Sequence, residues 1–247
     1  MQIIKFILAV LLVASPVWAD GVLTPAAGPI SGTSQSYSTL YDYTTSVKIQ
    51  DDFCGGGTGT GSIGTLGWST GGGTASYQVS ESNHPCIVRK TTSAASGTFS
   101  YLYLPAVQAS LLAGSVDMTY VYRLNSNDAN TTCRIGAMAL INTAPTDGIY
   151  IEKKDADTNW FVVTRASSTE TRADSGVAIS TGWFTFRIVR TNSASVAFYI
   201  NGTLVSTSTT NIPSAGLTIG AQAVNSAAAD KSYDVDYVEV TMSGLSR

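Results

Sequence analysis

From Tyr77 to its end, the chain is divided into short runs in which Val, Ile, Thr, Tyr and Phe alternate with polar residues, each run closed by Gly, Asn, Asp or Pro. Alternation at period two sends successive side chains to opposite faces, so each run reads as a strand with one buried face. Strands are expected near 77–80, 86–90, 98–104, 115–124, 132–141, 148–154, 160–166, 169–173, 183–190, 195–200, 203–209, 217–223 and 232–241. Only 105–114 (PAVQASLLAG) has room for a turn or two of helix. The pattern assigns faces as well as strands. Val116, Met118, Tyr120, Tyr122 and Leu124 share one face, as do Phe184, Phe186 and Ile188, while Ile149 and Ile151 oppose Tyr150 and Glu152. Asn201-Gly202 between two alternating runs is the chemistry of a two-residue type I′ hairpin, in which both positions take positive φ. Strands with one apolar face must bury those faces against each other, and no fixed-period repeat suggests a propeller or solenoid. The expected fold is all-β, an antiparallel two-sheet β-sandwich.

The rest of the chain bounds compartment and partners. Residues 1–19 (MQIIKFILAVLLVASPVWA) carry one basic residue, an apolar run from Phe6 to Ala14 and a small-x-small exit, the pattern of a secretory signal peptide. The apolar run is too short to span a bilayer, so a secreted protein without membrane insertion is expected. Residues 20–50 read as an N-terminal arm or linker rich in Ser, Thr, Gly and Tyr, and 51–247 as the sandwich domain. Charged residues make up 13% of the 247, with 14 basic against 17 acidic, which leaves no electrostatic footprint for nucleic acid. Residues 55–73 (GGGTGTGSIGTLGWSTGGG) are too glycine-rich for a helix or long strand and read as loop. The G-x-G-x-x-G string inside that segment, 59–64, has no following helix to meet a pyrophosphate and is set aside as chance. Three cysteines in an exported chain allow one bridge. Cys54 and Cys86 are expected to pair, and Cys133, inside an alternating run, to be a buried thiol.

A family resemblance then enters. DDF at 51–53, LGW at 66–68, DTNWFVV at 157–163, DSGVAISTGWFTFRI at 174–188, FYINGTLV at 198–205, NIP at 211–213 and DVDYVEV at 234–240 together resemble a concanavalin A-like lectin/glucanase, laminin-G-like jelly-roll domain of bacterial secreted and bacteriophage virion proteins. The resemblance implies a jelly roll with a flat back sheet and a concave front sheet whose face or rim loops meet sugars in the binding members. It also places DVDYVEV on the strand that closes the sandwich. The fold hosts lectins, hydrolases, lyases and structural modules, so function has to come from the site.

Asp234, Asp236 and Glu239 mimic the acidic motif of glycoside hydrolases of this fold, in which two carboxylates act as nucleophile and acid/base. Against that, Glu239 falls on the opposite face unless a bulge intervenes, and the stretch lies at the chain end. His84, alone of its kind, sits in a turn before a strand, where a structural role is the plain reading. Asp155, Asp157 and Asn159 alternate as calcium-loop oxygens do, but Trp160 stands where the loop glycine belongs, so no cofactor is required and calcium is an alternative to ordinary turn chemistry. For sugars, exposed aromatic planes beside amides are the usual device. Trp160, Tyr150, Trp68 and Asn159 are the candidate ligand contacts, with Tyr103 beside them, and Trp183 is read as core. The leading expectation is a secreted, non-catalytic module that binds a polysaccharide or cell-surface glycan, or mediates adhesion. A structural or host-attachment component of a phage-like virion, with homo-oligomer or particle assembly, and a polysaccharide-degrading enzyme are the alternatives.

Overall fold

The computed structural model describes residues 45–244 apart from 58–62, 110–113, 126, 128, 140, 142, 193 and 215, with backbone alone at 106–109. The expected signal peptide and most of the expected arm lie outside the described residues. Fifteen strands follow in order: β1 (Ser46–Asp51), β2 (Ser69–Gly71), β3 (Thr74–Gln78), β4 (Ile87–Thr91), β5 (Phe99–Ala109), β6 (Ser115–Leu124), β7 (Thr131–Met138), β8 (Gly148–Lys153), β9 (Asn159–Ala166), β10 (Thr169–Ala178), β11 (Phe184–Thr191), β12 (Ser195–Ile200), β13 (Thr203–Ser208), β14 (Leu217–Asn225) and β15 (Ser232–Ser243). No described helix is long and apolar enough to cross a membrane.

The strands form two antiparallel sheets. One runs β13-β12-β11-β6-β15-β4-β3, and β1 shares with β4 the side of β15 away from β6. The other runs β10-β9-β8-β7-β14-β5-β2. Runs of neighbouring strands, β7 to β10 in one sheet and β11 to β13 in the other, are joined by crossings between the sheets at β4/β5, β5/β6, β6/β7, β10/β11, β13/β14 and β14/β15, as in a jelly roll. The alternation assigned the faces correctly: Val116, Met118, Tyr120, Tyr122 and Leu124 are all buried, and Phe184, Phe186 and Ile188 face the same core. Asn201 and Gly202 take φ of 50° and 81°, as the hairpin turn requires.

Several expectations are corrected. The sheet begins at Ser46, inside the stretch read as arm, because residues 46–51 pair with 238–243 of β15. The stretch 105–114 does not turn into helix at its start, since β5 runs on to Ala109 beside Leu217. The glycine-rich segment holds a short strand, β2, at its end.

What organises that segment is Asp51. Its buried carboxylate accepts bonds from Phe53 N (2.8 Å), Thr65 Oγ1 (3.2 Å), Leu66 N (2.9 Å) and Trp68 Nε1 (3.1 Å). Gly64 has φ +63°, and a Cβ there would sit 2.5 Å from an Asp51 oxygen, so glycine is needed where the loop passes the carboxylate. The same loop is fixed covalently by the Cys54–Cys86 disulfide, and Cys133 is a buried free thiol.

Candidate functional site

The β8–β9 hairpin closes through residues 154–158 at one end of the seven-stranded sheet. Asp157 makes the turn: its Oδ2 accepts from Lys154 N at 2.7 Å and its own N–H donates to the Lys154 carbonyl at 2.9 Å. Lys153 is fully buried and anchors the turn to the neighbouring strand, donating to the carbonyls of Asp155 (2.7 Å) and Thr131 (2.9 Å). Beyond the turn lies a cleft of about 370 Å³, walled by Asp155, Ala156, Asp157 and Thr158 on one side and by Asn127, Ala129 and Ile179 on the other. The Asn127 amide donates to the Ile179 carbonyl at 3.2 Å, which ties the β6–β7 connection to the end of β10. Two carboxylate residues, an amide and a threonine thus line a small space with an alanine and isoleucine wall, with one Asp155 oxygen held by the Thr132 hydroxyl at 3.3 Å.

The turn is held rigid from the outer face of the same sheet. Register places Tyr101, Gln222, Arg134, Glu152 and Phe161 in one cross-strand row, on the face turned away from the core between the sheets. Glu152 is completely buried there, accepting from Arg134 Nε (2.8 Å) and Arg172 Nε (2.9 Å), with Lys154 Nζ at 3.3 Å. Arg172 lies with its guanidinium 3.5 Å from the Phe161 ring centre and reaches on to bond Asp157. One arginine therefore links the buried Glu152 to the cleft carboxylate, so that the cleft wall is fixed before any ligand arrives.

A second row, Arg172, Val163, Tyr150, Gly136, Gly220 and Tyr103, runs beside the first. A Cβ on Gly220 would meet the Tyr103 Cα at 3.0 Å and one on Gly71 the Tyr101 hydroxyl at 1.9 Å, so these glycines make room for tyrosines lying along the sheet. Tyr101 and Tyr103 are half-buried, 5.6 Å apart and tilted. Tyr101 was not among the candidates, although the alternation that buries Leu102 and Leu104 already turns both tyrosines outward.

The predicted residues distribute as follows. Trp160 has no exposed surface: it packs on Phe184, Phe186 and Tyr122 between the sheets, so it offers no plane to a sugar. Trp68 is likewise core, its indole N–H spent on Asp51. Tyr150 faces outward but is covered by the 139–147 connection, against Met138, Ile141 and Val163. Asn159 turns from the cleft to Asp174, 3.1 Å from both carboxylate oxygens. Asp155, Asp157 and Asn159 therefore do not converge as calcium ligands, and no cluster of three metal-binding side chains occurs among the described residues.

The acidic strand β15 is read differently by the structure than by the motif. A bulge at Asp236 does place Asp234 and Glu239 on the same outer face, but about 13 Å apart along the strand, beyond the two-carboxylate distances of glycoside hydrolysis. Each is saturated. Asp234, fully buried, accepts from Arg89 Nε (2.7 Å) and Nη2 (2.9 Å), Arg123 Nε (2.9 Å) and Asn125 Nδ2 (2.9 Å). Glu239 binds Lys48 at 2.9 Å and the Tyr237 hydroxyl. The Asp234 bonds raise the Arg89 pKa, and burial raises that of Asp236 despite His84 Nδ1 at 2.9 Å. Trp183, read as core, instead lies half-buried on the surface, stacked on His84 at 4.1 Å with its N–H on Glu81. This cluster fastens the 81–84 turn to β15 and β6.

The family model described as SO2946-like, C-terminal domain, matches residues 83–236, well over half of the chain. The chain belongs to the SO2946-like family. Among solved structures, this SO2946-like chain is similar to SO2946 from Shewanella oneidensis MR-1, a protein of unknown function, at 16% identity and a TM-score of 0.64, over 90% of this chain and 98% of that one. It is also similar to the carbohydrate recognition domain of Emp47p, at 13% identity and a TM-score of 0.55, over 80% and 95%. A third likeness is the binding domain of botulinum neurotoxin DC, at 11% identity and a TM-score of 0.53, over 81% of this chain and 48% of that one. The SO2946-like chain spans about half of that toxin domain. No curated protein matches the chain. At these identities the likenesses establish the fold, a concanavalin A-like jelly roll, in agreement with the sheet order.

Proposed function

We propose that this protein is a secreted, non-catalytic glycan-binding module whose end cleft takes one sugar residue of a polysaccharide or cell-surface glycan. The observation that carries the reading is the cleft itself. About 370 Å³ is within the range of small-ligand sites, and the second oxygens of Asp155 and Asp157, beyond those bonded to Thr132 and to Lys154 N and Arg172, can accept hydroxyl hydrogens while Ala129 and Ile179 meet the apolar face of a pyranose ring. Solved neighbours of the same fold support it: one is a carbohydrate recognition domain, and another belongs to a toxin whose cell entry depends on two ganglioside molecules. The engagement of both Asp234 oxygens by Arg89 and Arg123, and the pairing of Glu239 with Lys48, support a binding rather than a hydrolytic role. The Cys54–Cys86 disulfide suits the oxidising compartment that the leader implies.

The test is a glycan array, read alongside reducing-end and unsaturated-product assays on the same glycans. Binding without product is expected, and Asp155→Asn should weaken it roughly tenfold, the worth of about one charged hydrogen bond. Product formation, or binding indifferent to Asp155→Asn but lost with Tyr101→Ala, contradicts the cleft assignment.

A further inference from the structure

The Cys54–Cys86 bridge is not sealed inside the sandwich. Both cysteines are half-buried, and both line a cleft of about 240 Å³ together with Gly55, Tyr77 and Pro85. The Tyr77 hydroxyl donates to the Gly55 carbonyl at 2.7 Å and accepts from Gly64 N at 3.0 Å, which fixes its ring at the cleft wall. Phe53, the residue before Cys54, has φ +58°, in the left-handed region where a bulky side chain is strained. Three constraints hold it there: its N–H on Asp51 Oδ1 at 2.8 Å, its buried ring 5.4 Å from that of Trp68, and the disulfide on the next residue. Opening the bridge removes one constraint and releases part of the strain. The other two stay, and so do the bonds from Thr65, Leu66 and Trp68 to Asp51, none of which involves a cysteine.

We propose that the Cys54–Cys86 disulfide is a thiol-exchange site, which takes a small neutral or cationic thiol through this cleft while both sheets stay paired. The incoming thiol gives its proton to water, and its sulfur bonds one cysteine sulfur as the S–S bond breaks. The other cysteine leaves as a thiolate and takes up a proton. A second thiol attacks the mixed disulfide in the same way, so two thiols are oxidised to one disulfide and both cysteines are reduced. The charge of the thiol matters because Asp52 accepts from Cys54 N at 3.0 Å and Asp236 from Cys86 N, which sets two carboxylates beside the bridge and opposes an anionic reagent. Exchange uncouples the 53–56 segment from the start of β4, while His84 Nδ1 stays on Asp236 at 2.9 Å and keeps the 81–84 turn on β15. The outcome is a local release, independent of the sugar cleft at the other sheet.

Cys133 supplies the control, since this thiol lies fully buried in the core and reacts only when the sheets come apart. The wild-type protein is treated at pH 8 with cysteamine, alkylated at intervals and mapped by mass spectrometry. Cys54 and Cys86 should be alkylated at least about 100-fold faster than Cys133. Amide exchange should rise at 53–56 and 84–86 but not in β7 or β14, and cysteamine should change nothing in the Cys54→Ser/Cys86→Ser double variant. The anionic thiol 3-mercaptopropionate should open the bridge at least about threefold more slowly than cysteamine, each rate being taken relative to that on a cystine peptide. Alkylation of all three cysteines at one rate, or a bridge that resists cysteamine altogether, overturns the proposal. Equal relative rates for the two thiols overturn the class of thiol assigned to the site.

Discussion

Lys90 faces the interior from β4, on the same side as Val88, and its ammonium meets only the Gly72 carbonyl, at 3.4 Å, among the described residues. Burial lowers its pKa to about 8, so between about pH 8 and the unfolded value near 10.5 the unfolded chain holds a proton that the folded chain has released. Stability therefore rises with pH across that window. Lys90→Met should stabilise the protein at pH 7, by up to about 3 kcal/mol, and remove that part of the rise; denaturant unfolding of both proteins at pH 7, 9 and 10.5 checks it. Trp160 is the second residue whose role the sequence left open, standing next to a polar turn yet in phase with the core residues Val162 and Thr164. Trp160→Ala should cost about 3–5 kcal/mol, seen as a lowered melting temperature, rather than act as a selective loss of sugar binding. Trp183 was legible in hindsight, because its position is out of phase with Phe184 and Phe186 and the alternation already turns it outward.

At the scale of elements, pattern predicted what is local. Strand faces and the Asn201-Gly202 turn depend on neighbours within a few residues, and they came out as read. The Asp236 bulge, the pairing of β1 with β15 and the Glu152–Arg172–Asp157 chain depend on register between distant segments, which composition and spacing do not encode. The same register makes glycine obligatory at 220, where a Cβ would lie 2.4 Å from the Leu102 carbonyl oxygen, a backbone atom that cannot swing aside. Gly220→Ala should lose roughly 1–3 kcal/mol of stability in denaturant unfolding. The disulfide closes a separation of 32 residues between the glycine-rich connection and β4. In the chain-entropy account, replacing both cysteines by serine should cost about 3–4 kcal/mol, and a melting point unchanged by reduction would count against that account.

For the whole molecule, two sheets with their apolar faces together leave a solvent face on each side and two ends, and function has to be sought there. The eight-stranded sheet's outer face spends its charges in closed ion pairs around Asp234, Glu239 and Asp117. The seven-stranded sheet uses its own network to brace a turn, and a cleft lined by Asp155, Asp157 and Asn127 lies beyond that turn. The most direct measurement of this account is an amide-resolved NMR titration of the protein with the glycan that binds best on the array. The account predicts shifts concentrated at 127, 129, 155–158 and 179, abolished in Asp155→Asn. Shifts centred on Tyr101, Tyr103 and Gly71, or spread over neither region, would contradict it.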